Sequence, residues 1–141
     1  MQATARAFRL APGDRVLVSA APPFDATLAQ LLAPVVTGAA LSFPDAQPWT
    51  PEQILNAVVR RGITVLHRSP DEWAALAADE AACAGVRASV RLGVHGGPSV
   101  PRAVLRAWHR GGGTAPLVPV VHPEGAASAD SILAPMSPVI A

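Results

Sequence analysis

Short apolar runs alternate with amphipathic stretches along this chain. Val16-Leu17-Val18-Ser19 reads as a buried strand, bracketed by Pro12-Gly13-Asp14 and Pro22-Pro23. A helix is predicted from about Ala26 to Val36, with Leu28, Leu31, Leu32 and Val35 on one face. Asp25 is placed to cap it, Pro34 to kink its last turn and Gly38 to end it. Ala40-Leu41-Ser42-Phe43 forms the second strand. Thr50-Pro51-Glu52-Gln53 then combines a cap, a proline at the first helical position and a capping-box glutamine. The stripe of that helix is Ile54, Leu55, Val58 and Val59, and Arg60-Arg61 suits its negative end before Gly62. Ile63-Thr64-Val65-Leu66 is the third strand. Ser69-Pro70-Asp71-Glu72 repeats the same start chemistry for a helix bearing Trp73, Leu76 and Ala77. Val90 to Val94 is a fourth strand running into His95-Gly96-Gly97. A helix from Pro101 to Arg110 carries Val104, Leu105 and Trp108, and Gly111-Gly112-Gly113 stops it. Leu117 to Val121 is a fifth strand, at a sheet edge because of Pro119.

Strands and helices in alternation with short connections predict an α/β fold. The expected form is three-layered: a mostly parallel five-stranded sheet with helices on both faces and right-handed crossovers. A single domain is expected over residues 1–133, with 134–141 a flexible tail or linker.

Composition narrows the function classes. Of 141 residues 50% are hydrophobic and 15% charged, against roughly 25% charged in an average soluble domain. The net charge of +1 gives no electrostatic footprint for nucleic acid. No apolar run approaches the roughly 20 residues of a membrane span, and Met1–Leu10 is too polar for a signal peptide, so a cytoplasmic location is expected. Cys83 is the lone cysteine, which excludes an internal disulfide or a multi-cysteine zinc site. It reads as a small buried residue. All eleven basic residues are arginine. Without lysine or tyrosine, the chain has no Schiff-base nucleophile, phosphate-loop lysine or tyrosine acid/base.

Several segments in series resemble one family. Phe8-Arg9-Leu10-Ala11-Pro12-Gly13-Asp14-Arg15-Val16-Leu17, Phe24-Asp25-Ala26-Thr27 and Thr37-Gly38-Ala39-Ala40-Leu41 are similar to the middle of an adenylation domain. Gly62-Ile63-Thr64-Val65-Leu66, Ser69-Pro70 and Arg91-Leu92-Gly93-Val94-His95-Gly96-Gly97 extend the resemblance to about residue 125. Adenylation domains form acyl- or aminoacyl-AMP in nonribosomal peptide and polyketide assembly lines. The resemblance implies the central subdomain of a truncated adenylation domain. It also implies an aromatic–Gly–Pro–Thr–Glu motif for ATP and magnesium near residues 119–125. The chain has Val120-Val121-His122-Pro123-Glu124-Gly125 there, and Met1–Phe8 does not resemble the family's lysine-bearing phosphate loop. ATP-dependent adenylation is therefore not expected, and no cofactor.

By the same resemblance Asp25 matches the aspartate that holds a substrate's α-amino group, and Gly96-Gly97, with His95, would line the acyl pocket. Two roles stay open for Asp25: helix cap and substrate contact. His95-Gly96-Gly97 also resembles the oxyanion loop of esterases, but Gly97-Pro98-Ser99-Val100-Pro101 lacks the closing glycine of a nucleophile elbow, and Ser99 reads as a cap for the next helix. His67, His95, His109 and His122 can gather at the carboxyl ends of the strands only without helical metal-ligand spacing, so no metal is assigned. Trp49, Trp73 and Trp108 read as packing groups. The expected function is a non-catalytic structural or docking module beside other assembly-line domains or a carrier protein, with a homodimer covering its apolar surface. The alternatives are a pocket holding an acyl or aminoacyl group for a neighbouring domain, and an enzyme of unrelated chemistry.

Overall fold

The computed structural model describes residues 2–18, 24–43, 49–95, 100–110 and 115–119, with side chains described from Ala5 onward except at 24–30 and Pro119. Among these residues the element order is α1 (Gln2–Ala7), β1 (Arg15–Leu17), α2 (Phe24–Thr37), β2 (Ala40–Ser42), α3 (Pro51–Arg61), β3 (Val65–Arg68), α4 (Pro70–Ala78), α5 (Glu80–Ser89), β4 (Leu92–His95), α6 (Arg102–His109) and β5 (Leu117–Pro119). As the alternation predicts, the five strands form one parallel sheet; its order is β2-β1-β3-β4-β5. Pro119 lies on an edge strand, where its missing N–H costs no ladder bond.

Period-two alternation sends successive side chains to opposite sheet faces. Leu17 and Leu66 join Ile54, Val58, Trp73, Leu76, Val86, Val104 and Trp108 under α3, α4, α5 and α6. Val16, Val18, Val65, Leu92 and Val94 join Ala7, Phe8 and Leu31 under α1 and α2. The result is three layers. The path from β1 to β2 crosses the sheet in one direction under α2; the later connections cross in the other direction under the opposite helices, so all share one hand.

Local signals start two helices as read. At α3, Thr50 accepts from Gln53 N while Gln53 returns a bond to Thr50 N, and Gly62 ends the helix in the left-handed conformation at φ 62°. At α4, Ser69 and Glu72 close the same reciprocal box. On the inner face of the sheet Trp73 donates to Val94 O at 3.1 Å and meets Trp108 edge-on at 5.0 Å.

The structure corrects several boundaries. β3 begins at Val65 because Ile63 N closes on Val58 O and Thr64 N on Arg15 O. β4 begins at Leu92 because Val90 caps α5 and Arg91 is drawn to Asp14. α2 begins at Phe24, so Asp25 lies inside its first turn instead of preceding it as the cap. The cap position of α6 is Pro101, without a side-chain bond; Ser99 lies outside the described residues. Val35 and Val59, expected in buried stripes, are 59% and 61% exposed, while Ala33, Ile54 and Val58 take the core positions. Helices α1 and α5 have no counterpart in the pattern reading. Residues 120–141, including the expected tail at 134–141, also lie outside the described residues. No helix among the described residues is long and apolar enough to cross a membrane.

Candidate functional site

In open parallel sheets ligands settle at the carboxyl ends of strands, near the point where successive connections leave in opposite directions. Here that point falls between β1 and β3, because β2 and β3 flank β1 on its two sides. Arg68 ends β3 and His95 ends β4, and the two are register partners across the parallel pair. Register partners point to the same face, so Arg68 and His95 share the side covered by α4.

Both side chains are held out of water. Arg68 is 1% exposed and His95 5% exposed. The Arg68 guanidinium lies 5.4 Å from the Trp49 ring, which also carries Arg61 at 5.6 Å. Arg61 is anchored elsewhere, donating to Phe43 O at 2.6 Å and Ser42 Oγ at 3.0 Å. Arg68 Nη1 reaches Glu72 Oε1 only at 3.5 Å, long for a charged hydrogen bond. The other Glu72 oxygen accepts from Ser69 N at 2.8 Å. Among the described residues no acceptor reaches Arg68 Nε or Nη2, and no partner reaches His95 Nδ1. Burial lowers the pKa of both groups. The arginine nonetheless keeps its charge at neutral pH, and the imidazole is neutral.

His67 has a different setting. It points to the face of α1, where Phe8 meets it edge-on at 6.2 Å, and its Nδ1 also lacks a partner among the described residues. Burial, with the Arg68 charge next in line, pushes its pKa down to about 3. His109 ends α6, a helix that returns from the carboxyl end of β4 to the amino end of β5. The structure therefore separates His67, His95 and His109, and His122 lies outside the described residues.

Of the residues singled out from sequence, His95 is buried at the predicted end of the sheet. Asp25 sits in the first turn of the helix following β1, with its side chain outside the described set. Gly96, Gly97 and Gly111–Gly113 also lie outside the described residues. Cys83 is buried against α6, as read. Trp73 and Trp108 pack in the core and half-buried Trp49 packs against it, as expected, and Trp49 serves in addition as a platform for two guanidiniums. Sequence reasoning missed Arg68. Its signal was a lone arginine closing the apolar run Val65-Leu66-His67, directly before the Ser69-Pro70 helix start.

Known proteins with the same arrangement are much longer. CmiS6 superposes with a TM-score of 0.70 at 24% identity, over 89% of this chain and 31% of that one. Holo-PA1221, a nonribosomal peptide synthetase protein containing adenylation and PCP domains bound to a vinylsulfonamide inhibitor, gives 0.69 at 21% identity, over 82% of this chain and 20% of that one. The Klebsiella oxytoca NpsA N-terminal subdomain in complex with 3-hydroxyanthranilyl-AMSN gives 0.68 at 17%, over 81% and 28%. The chain thus spans a third or less of the length of each of these proteins. No curated protein matches it in sequence. The profile of the AMP-binding enzymes matches residues 1–122, most of the chain, and this chain belongs to the AMP-binding enzyme family.

Proposed function

We propose that this chain is a ligand-holding part of a nonribosomal peptide or polyketide assembly line that does not itself form acyl-adenylates. In this reading the carboxyl end of its sheet holds an acyl or aminoacyl group for a neighbouring catalytic domain, with Asp25, His95, Gly96 and Gly97 along the wall. The observation that carries the reading is the pair Arg68 and His95, buried at the end of the sheet with polar atoms that no described residue satisfies. Buried polar groups are nearly always hydrogen-bonded, and orphans left in a native fold concentrate where function needs them. The chain's own residues support the absence of adenylation. Triphosphate chemistry requires backbone donors, a magnesium ion and a cation for the developing charge. The run Val120-Val121-His122-Pro123-Glu124-Gly125 keeps little of the family's ATP motif.

Calorimetric titration with amino acids, simple carboxylic acids and non-hydrolysable acyl-adenylate analogues tests the pocket, and ATP–pyrophosphate exchange tests the chemistry. Saturable binding with no exchange is the expected result. Exchange above background overturns the non-adenylating reading; absence of binding by every probe overturns the pocket.

A second reading, docking, draws on a different observation. Val35 and Val36 near the end of α2 and Phe43 just after the edge strand β2 are each more than half exposed, as is Val59 on α3 across the sheet. Exposed apolar side chains of this kind suit a neighbouring domain, a carrier protein or a second copy of the chain. Sedimentation equilibrium, alone and with carrier protein, checks it: a monomer indifferent to the carrier removes this reading.

A further inference from the structure

The unsatisfied donors of Arg68 are not scattered. Nε and Nη2 are the two nitrogens of one edge of the guanidinium, whose hydrogens point the same way. That edge is the side-on fork that meets a planar carboxylate with two parallel hydrogen bonds. Every other part of the group is engaged. Its face lies on Trp49, and Nη1 faces Glu72 at 3.5 Å. Leaving a guanidinium edge unmatched in a desolvated place is costly, and nothing in the packing of α4 on β3 requires a cation at that position.

We propose that the Nε/Nη2 edge of Arg68 seats a carboxylate, so that the group held at this end of the sheet is a dicarboxylic acid or an acidic amino acid. The inference rests on the pocket reading above and names its substrate class. One buried cation with Glu72 alongside favours a monoanion over a phosphate dianion, which would bring a second negative charge close to the Glu72 carboxylate. The carboxylate on Arg68 is the inner one. A carbonyl that is to be passed to a neighbouring domain has to face outward, and the guanidinium is itself buried. His95, on the same face and neutral, adds one uncharged ring nitrogen beside the guest.

Acid and amide isosteres separate this from a generic pocket. Succinate is compared with succinamate, and glutamate with glutamine, against the full 141-residue chain by calorimetry, while the Arg68 Nε–Hε resonance is followed by ¹⁵N-edited NMR. Two charge-assisted hydrogen bonds predict an acid bound about 10- to 100-fold more tightly than its amide. They also predict a saturable downfield shift of that resonance. Arg68→Lys keeps charge but loses the fork, and its preference is expected to drop at least about tenfold. Arg68→Met is expected to bind acid and amide within about twofold. Because a hydrophobe here replaces an unmatched buried charge, its unfolding temperature should be at or above that of the parent. Should Arg68→Met fail to fold, the resonance of the parent chain and the Arg68→Lys affinities still decide. Equal binding of acid and amide with an unmoved Arg68 resonance overturns the carboxylate seat and leaves the pocket standing. No binding by any of the four probes or by an acyl-adenylate analogue removes the pocket itself.

Discussion

Asp14 and Arg91, 77 residues apart, form a two-point ion pair: Arg91 Nε donates to Asp14 Oδ1 at 2.8 Å and Nη2 to Oδ2. The pair sits at the amino ends of the strands, opposite Arg68. Asp14 precedes β1 and Arg91 precedes β4, and Thr64, just before β3, donates its hydroxyl to the same Asp14 oxygen at 2.7 Å. Arg91 also donates to Phe8 O and Arg9 O. One carboxylate thus ties three strand starts together and one guanidinium ties them to the end of α1. The two arginines make a contrast. Arg91 has every nitrogen in use at the structural end of the sheet, whereas Arg68 has an idle edge at the end where ligands bind.

The Arg91 hydrogen bonds hold the Asp14 carboxyl down at about 2, with burial opposing and Thr64 and Ala11 N assisting. A carboxyl whose pKa is lower in the folded state contributes stability above its unfolded value near 3.8, and that contribution fades as pH falls toward 2. Arg91→Met removes the main cause. Because Arg91 is partly exposed, the expected loss at neutral pH is about 1–3 kcal/mol. The Asp14 contribution to the slope of stability between pH 4 and 2 should flatten in the variant. Urea titrations across that range check both; an unchanged acid slope would show that the pair does not govern the carboxyl.

Where α5 crosses α3, a Cβ on Gly85 would fall 2.6 and 3.2 Å from the two methyls of Leu55 and 3.5 Å from its Cγ. A turn about the last side-chain bond cannot clear both methyls, so Gly85→Ala must displace the side chain or the helix. Overpacking of this kind costs about 1–3 kcal/mol, more than the roughly 0.5–1 kcal/mol that alanine gains over glycine within a helix. The substitution is expected to destabilise the parent and to stabilise a Leu55→Ala background. A double-mutant cycle by thermal or urea unfolding reads the reversal of sign, and additive effects would contradict it.

Capping is the part of the fold that sequence shows best. Thr50 with Gln53 and Ser69 with Glu72 act within four residues, so their meaning does not depend on the rest of the chain. The parallel sheet and its layering also followed from alternation, while the strand order came only from the structure. What failed was non-local. Val35 and Val59 sit at helical spacing with core residues, but only the finished packing shows that their side of the helix is left uncovered. Helix α5 hid because alanine marks no stripe; Asp79, whose side chain accepts from Ala82 N, was its one start signal. Arg68 escaped because its interest lies in bonds it does not make, and a sequence cannot show an absent partner. His95 was legible through the family motif around it and through its place at the end of the fourth strand.

The two capping boxes give a direct check on local energetics. Thr50→Ala and Ser69→Ala each remove a side-chain acceptor for a backbone N–H and are expected to cost about 1 kcal/mol. In each variant the reciprocal bond that the cap backbone N–H donates to the Gln53 or Glu72 side chain stays in place, so the loss reads the missing hydroxyl acceptor alone. Urea unfolding of the two variants checks it, and a stability unchanged at either site would show that the box there does not hold the helix start.

His67 makes the strongest claim about pH. Its ring is buried between the sheet and Phe8, and its pKa of about 3 lies well below the ordinary 6.5 because burial disfavours the charged form. Between pH 6.5 and 3 the unfolded chain therefore binds a proton at this residue that the folded chain does not. Stability rises with pH wherever the unfolded state holds more protons, so acidification through this window must weaken the fold. One such histidine contributes a slope of up to about 1.4 kcal/mol per pH unit. His95, whose pKa burial also lowers, adds in the same direction. The part of this window from pH 6.5 down to 4 lies above that of Asp14, so the two are separable in one titration series. His67→Leu keeps an apolar group against Phe8 and deletes the proton site. It is expected to lose part of the slope between pH 6.5 and 4 while leaving the Asp14 limb below pH 4 intact. Stability measured by urea unfolding at half-unit pH steps tests this, and parallel curves for parent and variant above pH 4 would mean that His67 is not held neutral by its burial.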